Sequence, residues 1–139
     1  MNLSTIILAA GQGTRMKSDL PKVLHKLNGK PLVRYSIDLA SGLGSERTVV
    51  VIGNGAEKVK QAVGEAAEFA LQQQRLGTAH AVQAAEDLLR NEDGSTVVIS
   101  ADMPLLKVDT LRRLVDERIS NSAPLALLTV HSQIGRAHV

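Results

Sequence analysis

A short loop near the start of the chain contains the residue types that bind phosphate. It reads Ala-Gly-Gln-Gly-Thr-Arg over residues 10–15. The two glycines let backbone N–H groups turn toward an anion, and Thr14 and Arg15 add a hydroxyl and a fixed cation. Lys22, held behind Pro21, adds a second cation. We therefore predict a cradle for a polyphosphate; a tight turn between a strand and a helix is the alternative.

Two common phosphate motifs are absent from this loop. A dinucleotide fingerprint needs a third glycine at the opening of a helix, whereas Thr14, Arg15 and Met16 follow the second glycine. A Walker loop needs Lys and then Ser or Thr directly after that glycine. A Rossmann oxidoreductase is therefore disfavoured, also because no acidic residue clearly ends the second predicted strand.

Asp102 is the best candidate for a metal ligand. It follows the apolar run at residues 96–99 and so should emerge where a strand ends. A hard cation bound to phosphates would need a carboxylate at such an edge. An Asp that caps the turn before Pro104 is the alternative. His25 and His80 lack a second ligand at metal-binding spacing, and we assign them no catalytic role.

Alternating strands and helices must position these residues. Apolar, β-branched runs predict strands over residues 5–8, 48–52, 96–99 and 125–130, with a further short one at 68–72. Helical spacing of apolar residues predicts helices over 33–43, 59–66, 81–89 and 111–119. This order predicts an α/β, Rossmann-like fold with a mostly parallel sheet and helices on both faces. Ligands of such sheets bind beyond the carboxyl ends of the strands.

The chain resembles the sugar-phosphate nucleotidyltransferases. Residues 8–33, LAAGQGTRMKSDLPKVLHKLNGKPLV, resemble the opening signature of the bacterial N-acetylglucosamine-1-phosphate uridyltransferase branch, and residues 71–81, 100–106 and 127–130 match it further. The resemblance implies a nucleotide-diphospho-sugar transferase fold, UTP and the sugar 1-phosphate as partners, and Mg²⁺ as cofactor. The implied products are UDP-N-acetylglucosamine and pyrophosphate.

The resemblance also implies roles for individual residues. Arg15 and Lys22 are expected to stabilise charge on the phosphates, and Asp102 to hold the metal. Gln72, Gly77 and Thr78 match positions that recognise uracil, although a solvated Gln72 and a helix-capping Thr78 are the simpler alternatives. The expected substrate-binding residues are Leu8, Ala9, Ala10, Gly11, Lys22, Gln72, Gly77, Thr78, Ala101 and Asp102. The family usually has glycine where Ala101 stands.

Composition excludes some other functions. An aromatic content of 1% leaves almost no side chains on which nucleic-acid bases could stack. The formal charge is only +2, and the basic residues are scattered along the chain. No run is long and apolar enough to predict a membrane span or a secretory signal, and the absence of Cys suits the cytoplasm.

Two alternatives to the uridyltransferase remain: another sugar-1-phosphate nucleotidyltransferase, and a nucleotide-binding module without catalysis. The full-length protein could form an oligomer, and the sequence does not decide this.

The end of the chain departs from the family pattern. We expect residues 1–133 to be the nucleotide-binding half of a nucleotidyltransferase domain, and residues 134–139, IGRAHV, to be a non-native tail. The codons ATC GGA AGA GCA CAC GTC, which would encode this tail, are one reading frame of a common sequencing-library adapter. On this interpretation the chain itself is inactive in transfer.

We predict that the gene continues in frame past Gln133 with family sequence. Sequencing an independent genomic clone across this junction checks the prediction. Recovery of the same six codons followed by a stop would show that the tail is natural.

Overall fold

A computed structural model describes residues 2–11, 19–53 and 56–132. The strands are β1 (Leu3–Leu8), β2 (Lys26–Leu27), β3 (Lys30–Pro31), β4 (Arg47–Ile52), β5 (Glu68–Leu71) and β6 (Ser95–Ser100). The helices are α1 (Leu32–Leu43), α2 (Glu57–Val63), α3 (Thr78–Gln83), α4 (Glu86–Leu89) and α5 (Val108–Ser120). Single 3₁₀ turns span Lys22–Leu24 and Gly64–Ala66.

Four parallel strands form the main sheet, in the order β5-β4-β1-β6. The chain moves outward from β1 through β4 to β5 and then returns to the other side of β1 as β6. The strand order therefore reverses at β1, and ligands of open α/β sheets bind beyond the carboxyl ends of the strands at such a point. The predicted Rossmann-like α/β fold is confirmed.

Helices cover the two faces of the sheet unequally. On one face, Ile7 and Val50 pack in a core with Val33 of α1, and residues of α2 and α5 join them. On the other face, Val49 packs with Ala81 of α3 and with Ala85. Strands buried on both sides need apolar residues at successive positions, which explains the β-branched runs in β1 and β4.

The strand predicted at residues 125–130 is wrong. The structure has no strand there, and Leu125, Leu127 and Val130 are largely exposed. These residues follow α5, and residues 125–128 lie along the groove between β6 and α5. A strand requires a hydrogen-bonded neighbour, and within the described residues this segment pairs with none.

Two other differences concern the helix at residues 81–89 and strand β6. The single helix predicted there is two helices, α3 and α4, which are separated at Ala84 and Ala85. In β6, Val97 and Ile99 are buried whereas Thr96 and Val98 are exposed. Because β6 is an edge strand that α3 and α4 do not cover, it alternates as a strand with one solvated face does.

A hairpin that the sequence pattern did not predict follows the Lys22–Leu24 turn. Strands β2 and β3 pair antiparallel, and Asn28 and Gly29 between them have φ angles of 51° and 76°. Both values lie in the left-handed region that a tight hairpin turn requires and that an Asn-Gly pair adopts readily.

We predict that Ile7→Ala destabilises the fold, because Ile7 lies at the centre of the sheet and is completely buried. Urea unfolding should show a loss of about 2–5 kcal/mol. Leu105→Ala is the matched control: its side chain is 82% exposed, and the change should stay within about 0.5 kcal/mol. Equal effects in the two variants would contradict the described core.

Candidate functional site

A cavity of about 490 Å³ opens at the carboxyl ends of β1, β5 and β6. Most of the predicted substrate-binding residues line it, namely Leu8, Ala9, Ala10, Gly11, Lys22, Gln72, Gly77, Thr78 and Asp102. They come from segments far apart in the chain. Parallel strands bring them together because all their carboxyl ends lie at one edge of the sheet.

The segment after β1 forms the middle of the cavity wall. Its backbone continues the sheet pairing, since the Ala9 N–H donates to Val51 O at 2.9 Å and the Ala101 N–H donates to Leu8 O at 3.0 Å. Beyond this point the chain reaches Gly11, where an added Cβ would have no atom of the described residues within 4 Å. Among the described residues, none therefore blocks the approach of a ligand to the Gly11 backbone.

Lys22 and Asp102 form an ion pair at the β6 side of the cavity. Lys22 Nζ donates to Asp102 Oδ2 at 2.9 Å, and Ser100 Oγ donates to Asp102 Oδ1 at 2.6 Å. The Lys22–Leu24 turn holds the lysine in place, because its other two residues, Val23 and Leu24, are buried. Both charged side chains keep more than a third of their surface exposed, at 41% and 35%. A ligand can therefore reach them.

The Ser100 hydroxyl, and after it the Lys22 ammonium, hold the pKa of Asp102 below its ordinary value. Partial burial opposes this shift because it disfavours the charged carboxylate. The two hydrogen bonds prevail, so Asp102 is ionised at neutral pH. A carboxylate that is ionised and accessible can exchange its lysine partner for another cation.

Gln72 lies at the β5 side of the cavity. It is 5% exposed, so it is not a solvated strand-end side chain. Its backbone N–H donates to Ile52 O at 2.8 Å. Its Nε2 donates to Gly77 O at 3.3 Å and lies 3.0 Å from His80 Nδ1. Apart from the exposed Arg75, this side of the cavity presents neutral polar atoms, in contrast to the charged pair opposite.

Gly77 and Thr78 lie where the loop after β5 enters α3. Gly77 has a φ of +106°, a conformation that a side chain would strain, and it is the N-cap residue of α3. Thr78 is the first residue of that helix, and no side chain caps its start. The capping role considered for Thr78 is therefore not observed.

Two predicted residues are not placed in the cavity. Ala101 has a completely buried side chain that packs in the core with Ile7 and Ile99, and it does not line the cavity. Alternation along the chain turns Ser100 and Asp102 to one side and Ala101 to the other. Arg15 lies outside the described residues.

Sequence reasoning missed two polar residues of the cavity. Ser100, the last residue of β6, binds the predicted metal ligand, and Arg75 is an exposed cation in the cavity wall between β5 and α3. Each had a detectable signal. Ser100 precedes Asp102 by two residues and so shares its side of the strand, and Arg75 lies between Gln72 and Gly77.

The oxygen atoms of Asp102 and Ser100 could hold a metal ion. In the part of the chain that the structure describes, no group of three or more His, Cys, Asp or Glu could do so alone. One carboxylate beside a hydroxyl nevertheless fits a hard cation such as Mg²⁺, which commonly binds one or two carboxylates and takes its other ligands from phosphates and water.

Residues 5–138 match the MobA-like NTP transferase domain. The chain belongs to this family. Proteins described as "Bifunctional protein GlmU" are similar to it: one from Exiguobacterium sibiricum is 49% identical over 132 residues, and one from Bacillus cytotoxicus is 48% identical over 130 residues. The matches cover 95% and 94% of this chain but 29% and 28% of those relatives. The resemblance derived from the sequence is confirmed.

Solved structures share the fold of this NTP transferase domain. Rv0371c from Mycobacterium tuberculosis superposes with a TM-score of 0.68 at 24% identity, over 83% of this chain and 59% of that chain. A UDP-glucose pyrophosphorylase complexed with UDP-glucose gives 0.68 at 22% identity, over 88% and 55%. A manganese complex of the mycobacterial protein also gives 0.68, at 20% identity over 84% and 59%. At these identities the likeness establishes the fold.

None of the helices within residues 2–11, 19–53 and 56–132 is both long and apolar enough to span a membrane.

The lowered pKa of Asp102 predicts a dependence of stability on pH. The ion pair stabilises the fold while Asp102 is ionised, above its unfolded pKa of about 3.9. The stabilisation is lost as the pH falls through the lower folded value. We expect Asp102→Asn to lower the free energy of unfolding at pH 7 by less than about 1 kcal/mol, because the pair is solvated.

Urea unfolding of both proteins between pH 7 and pH 3 checks this. The difference should begin to shrink as the pH falls below about 3.9, where the unfolded chain takes up a proton at Asp102. Asp116→Asn, at an exposed position on α5, is the control for removing one negative charge. A difference that does not change with pH would show that the Asp102 carboxylate adds nothing to stability.

Proposed function

We propose that the cavity binds UTP and that the chain is the nucleotide-binding part of an N-acetylglucosamine-1-phosphate uridyltransferase. The observation that carries the proposal is the Lys22–Asp102 pair, which lies in a cavity at the switch point of a parallel sheet, opposite the buried Gln72 amide. The GlmU relatives support the uridyltransferase branch. Because the chain spans 29% of the first of them, the complete reaction is proposed for the longer protein.

The polarity of the cavity suggests how a nucleotide lies in it. The amide of Gln72 and the backbone of Gly77 suit the edge of a base, which offers both donors and acceptors. Lys22, and Arg15 in the glycine loop, suit the phosphates. The segment at residues 8–11 joins these two ends, and the open space beside Gly11 suits a ribose or phosphate close to the backbone.

The proposed reaction needs no nucleophilic side chain. An oxygen of the sugar phosphate attacks the α-phosphorus of UTP in line, and pyrophosphate leaves. Lys22 and Arg15 stabilise negative charge on the phosphates and on the leaving pyrophosphate. Asp102, beside Ser100, would hold Mg²⁺, and the bound ion would neutralise further phosphate charge. On nucleotide binding, Lys22 would donate to a phosphate oxygen in place of Asp102.

We place the protein in the cytoplasm, which suits a chain without Cys.

The test is calorimetric titration of the chain with UTP in the presence and absence of Mg²⁺. Lys22→Ala should weaken UTP binding about tenfold or more, because a charge-assisted hydrogen bond to phosphate contributes about 1.5–3 kcal/mol. Asp102→Asn should abolish the strengthening of UTP binding by Mg²⁺, because the carboxylate ligand is lost at nearly constant volume.

Lys58→Ala is the matched control, since Lys58 is an exposed lysine on α2 and does not line the cavity. Its affinity for UTP should equal that of the wild type. If Lys22→Ala and Asp102→Asn both bound UTP with wild-type affinity and Mg²⁺ dependence, the cavity would not be the phosphate site.

A further inference from the structure

Two acceptors determine how the side-chain amide of Gln72 is oriented. A backbone carbonyl can only accept a hydrogen bond, so the amide atom that lies 3.3 Å from Gly77 O must be the nitrogen. The same nitrogen lies 3.0 Å from His80 Nδ1. His80 Nδ1 must therefore accept the second N–H, which puts the ring proton of the neutral histidine on Nε2.

This arrangement leaves one group of Gln72 for a ligand. An amide nitrogen has two N–H bonds, and Gly77 and His80 take both of them. The carbonyl oxygen Oε1 is then what the side chain can offer to the cavity, and it can only accept. Because Gln72 is 5% exposed, water cannot easily replace these partners if the amide turns over.

We propose that His80 is a positioning residue that selects the base by fixing the Gln72 amide. With Oε1 presented to the cavity, a base with an N–H in the middle of its pairing edge is accepted, as in uracil at N3. Cytosine has an acceptor at that position, which would face Oε1 and be rejected. The inference rests on the proposed function, because it takes the ligand to be a pyrimidine nucleotide.

His80 contributes what Gly77 alone does not. A reversed amide would place Oε1 against the lone pairs of both Gly77 O and His80 Nδ1, so each acceptor disfavours the reversed orientation. Both acceptors lie on the same short segment, residues 77–80. The Ala81 N–H donates to Gly77 O at 3.1 Å and so fixes this segment as the first turn of α3. Without the ring nitrogen one buried N–H loses its partner, and only one contact holds the amide.

The experiment measures dissociation constants for UTP and CTP, with Mg²⁺, for the wild type and three variants. His80→Phe keeps a flat ring and removes the acceptor, and the preference for UTP over CTP should fall about tenfold. His80→Asn should restore most of the preference, because its side-chain oxygen can accept where Nδ1 did. Gln83→Ala, at an exposed position in the same helix, should leave the ratio unchanged.

A second measurement does not depend on nucleotide. The ¹⁵N spectrum of the wild type should show His80 with an unprotonated Nδ1 and a protonated Nε2, and the Gln72 side-chain NH₂ signals should shift in His80→Phe. A protonated Nδ1 in the neutral ring would overturn the inference whatever the nucleotide affinities are.

The outcomes separate this inference from the proposed function. If the wild type prefers UTP and His80→Phe keeps that preference, His80 does not select the base, and the proposed function stands. If the tautomer is as expected but the wild type binds UTP and CTP equally, the base selection is wrong. If the wild type binds neither nucleotide, the proposed function and the inference are both overturned.

Discussion

The parallel pairing of β1 with β4 on one side and β6 on the other is the constraint on which the site depends. Its register places Leu8 opposite Val51 and opposite Ser100. The loop after β1 and the carboxylate that follows β6 therefore leave the sheet at the same level. A shift of one residue would turn Asp102 away from the cavity and bring Ala101 into it, because side chains alternate along a strand.

Charges at the two ends of the sheet do different work. At the amino end, Arg47 of β4 donates to Glu68 at 2.7 Å and to Glu92 at 2.8 Å. It thereby joins β4, β5 and the segment after α4, and the two carboxylates raise its pKa further above its already high value. This network ties elements together. At the carboxyl end, the Lys22–Asp102 pair is solvated and adds little stability, so its value lies in the ligands that its members can take up.

The cavity has the Lys22–Asp102 pair on one side and the buried Gln72 amide on the other, and the two are held by different means. Lys22 and Asp102 are accessible and can change partners. Gln72 is buried and its amide is held by two acceptors, which makes it a fixed reference for a ligand. Charged side chains that can change partners suit phosphates, which bring their own counterions. An amide in a fixed orientation suits a base, whose donors and acceptors have a fixed pattern.

The sequence by itself determined the α/β class, the exit of the chain from the first strand at residues 9–11 and the position of Asp102 after a strand end, because these depend on local patterns. It also located Gln72, Gly77 and Thr78, but through the resemblance to a family rather than through their chemistry. Only the tertiary structure decided that Lys22 meets Asp102, 80 positions away, and that His80 Nδ1 lies 3.0 Å from the Gln72 amide nitrogen. It also decided that residues 125–130 are not a strand. Local patterns specify what a segment can form, and the partners available in three dimensions decide whether it does.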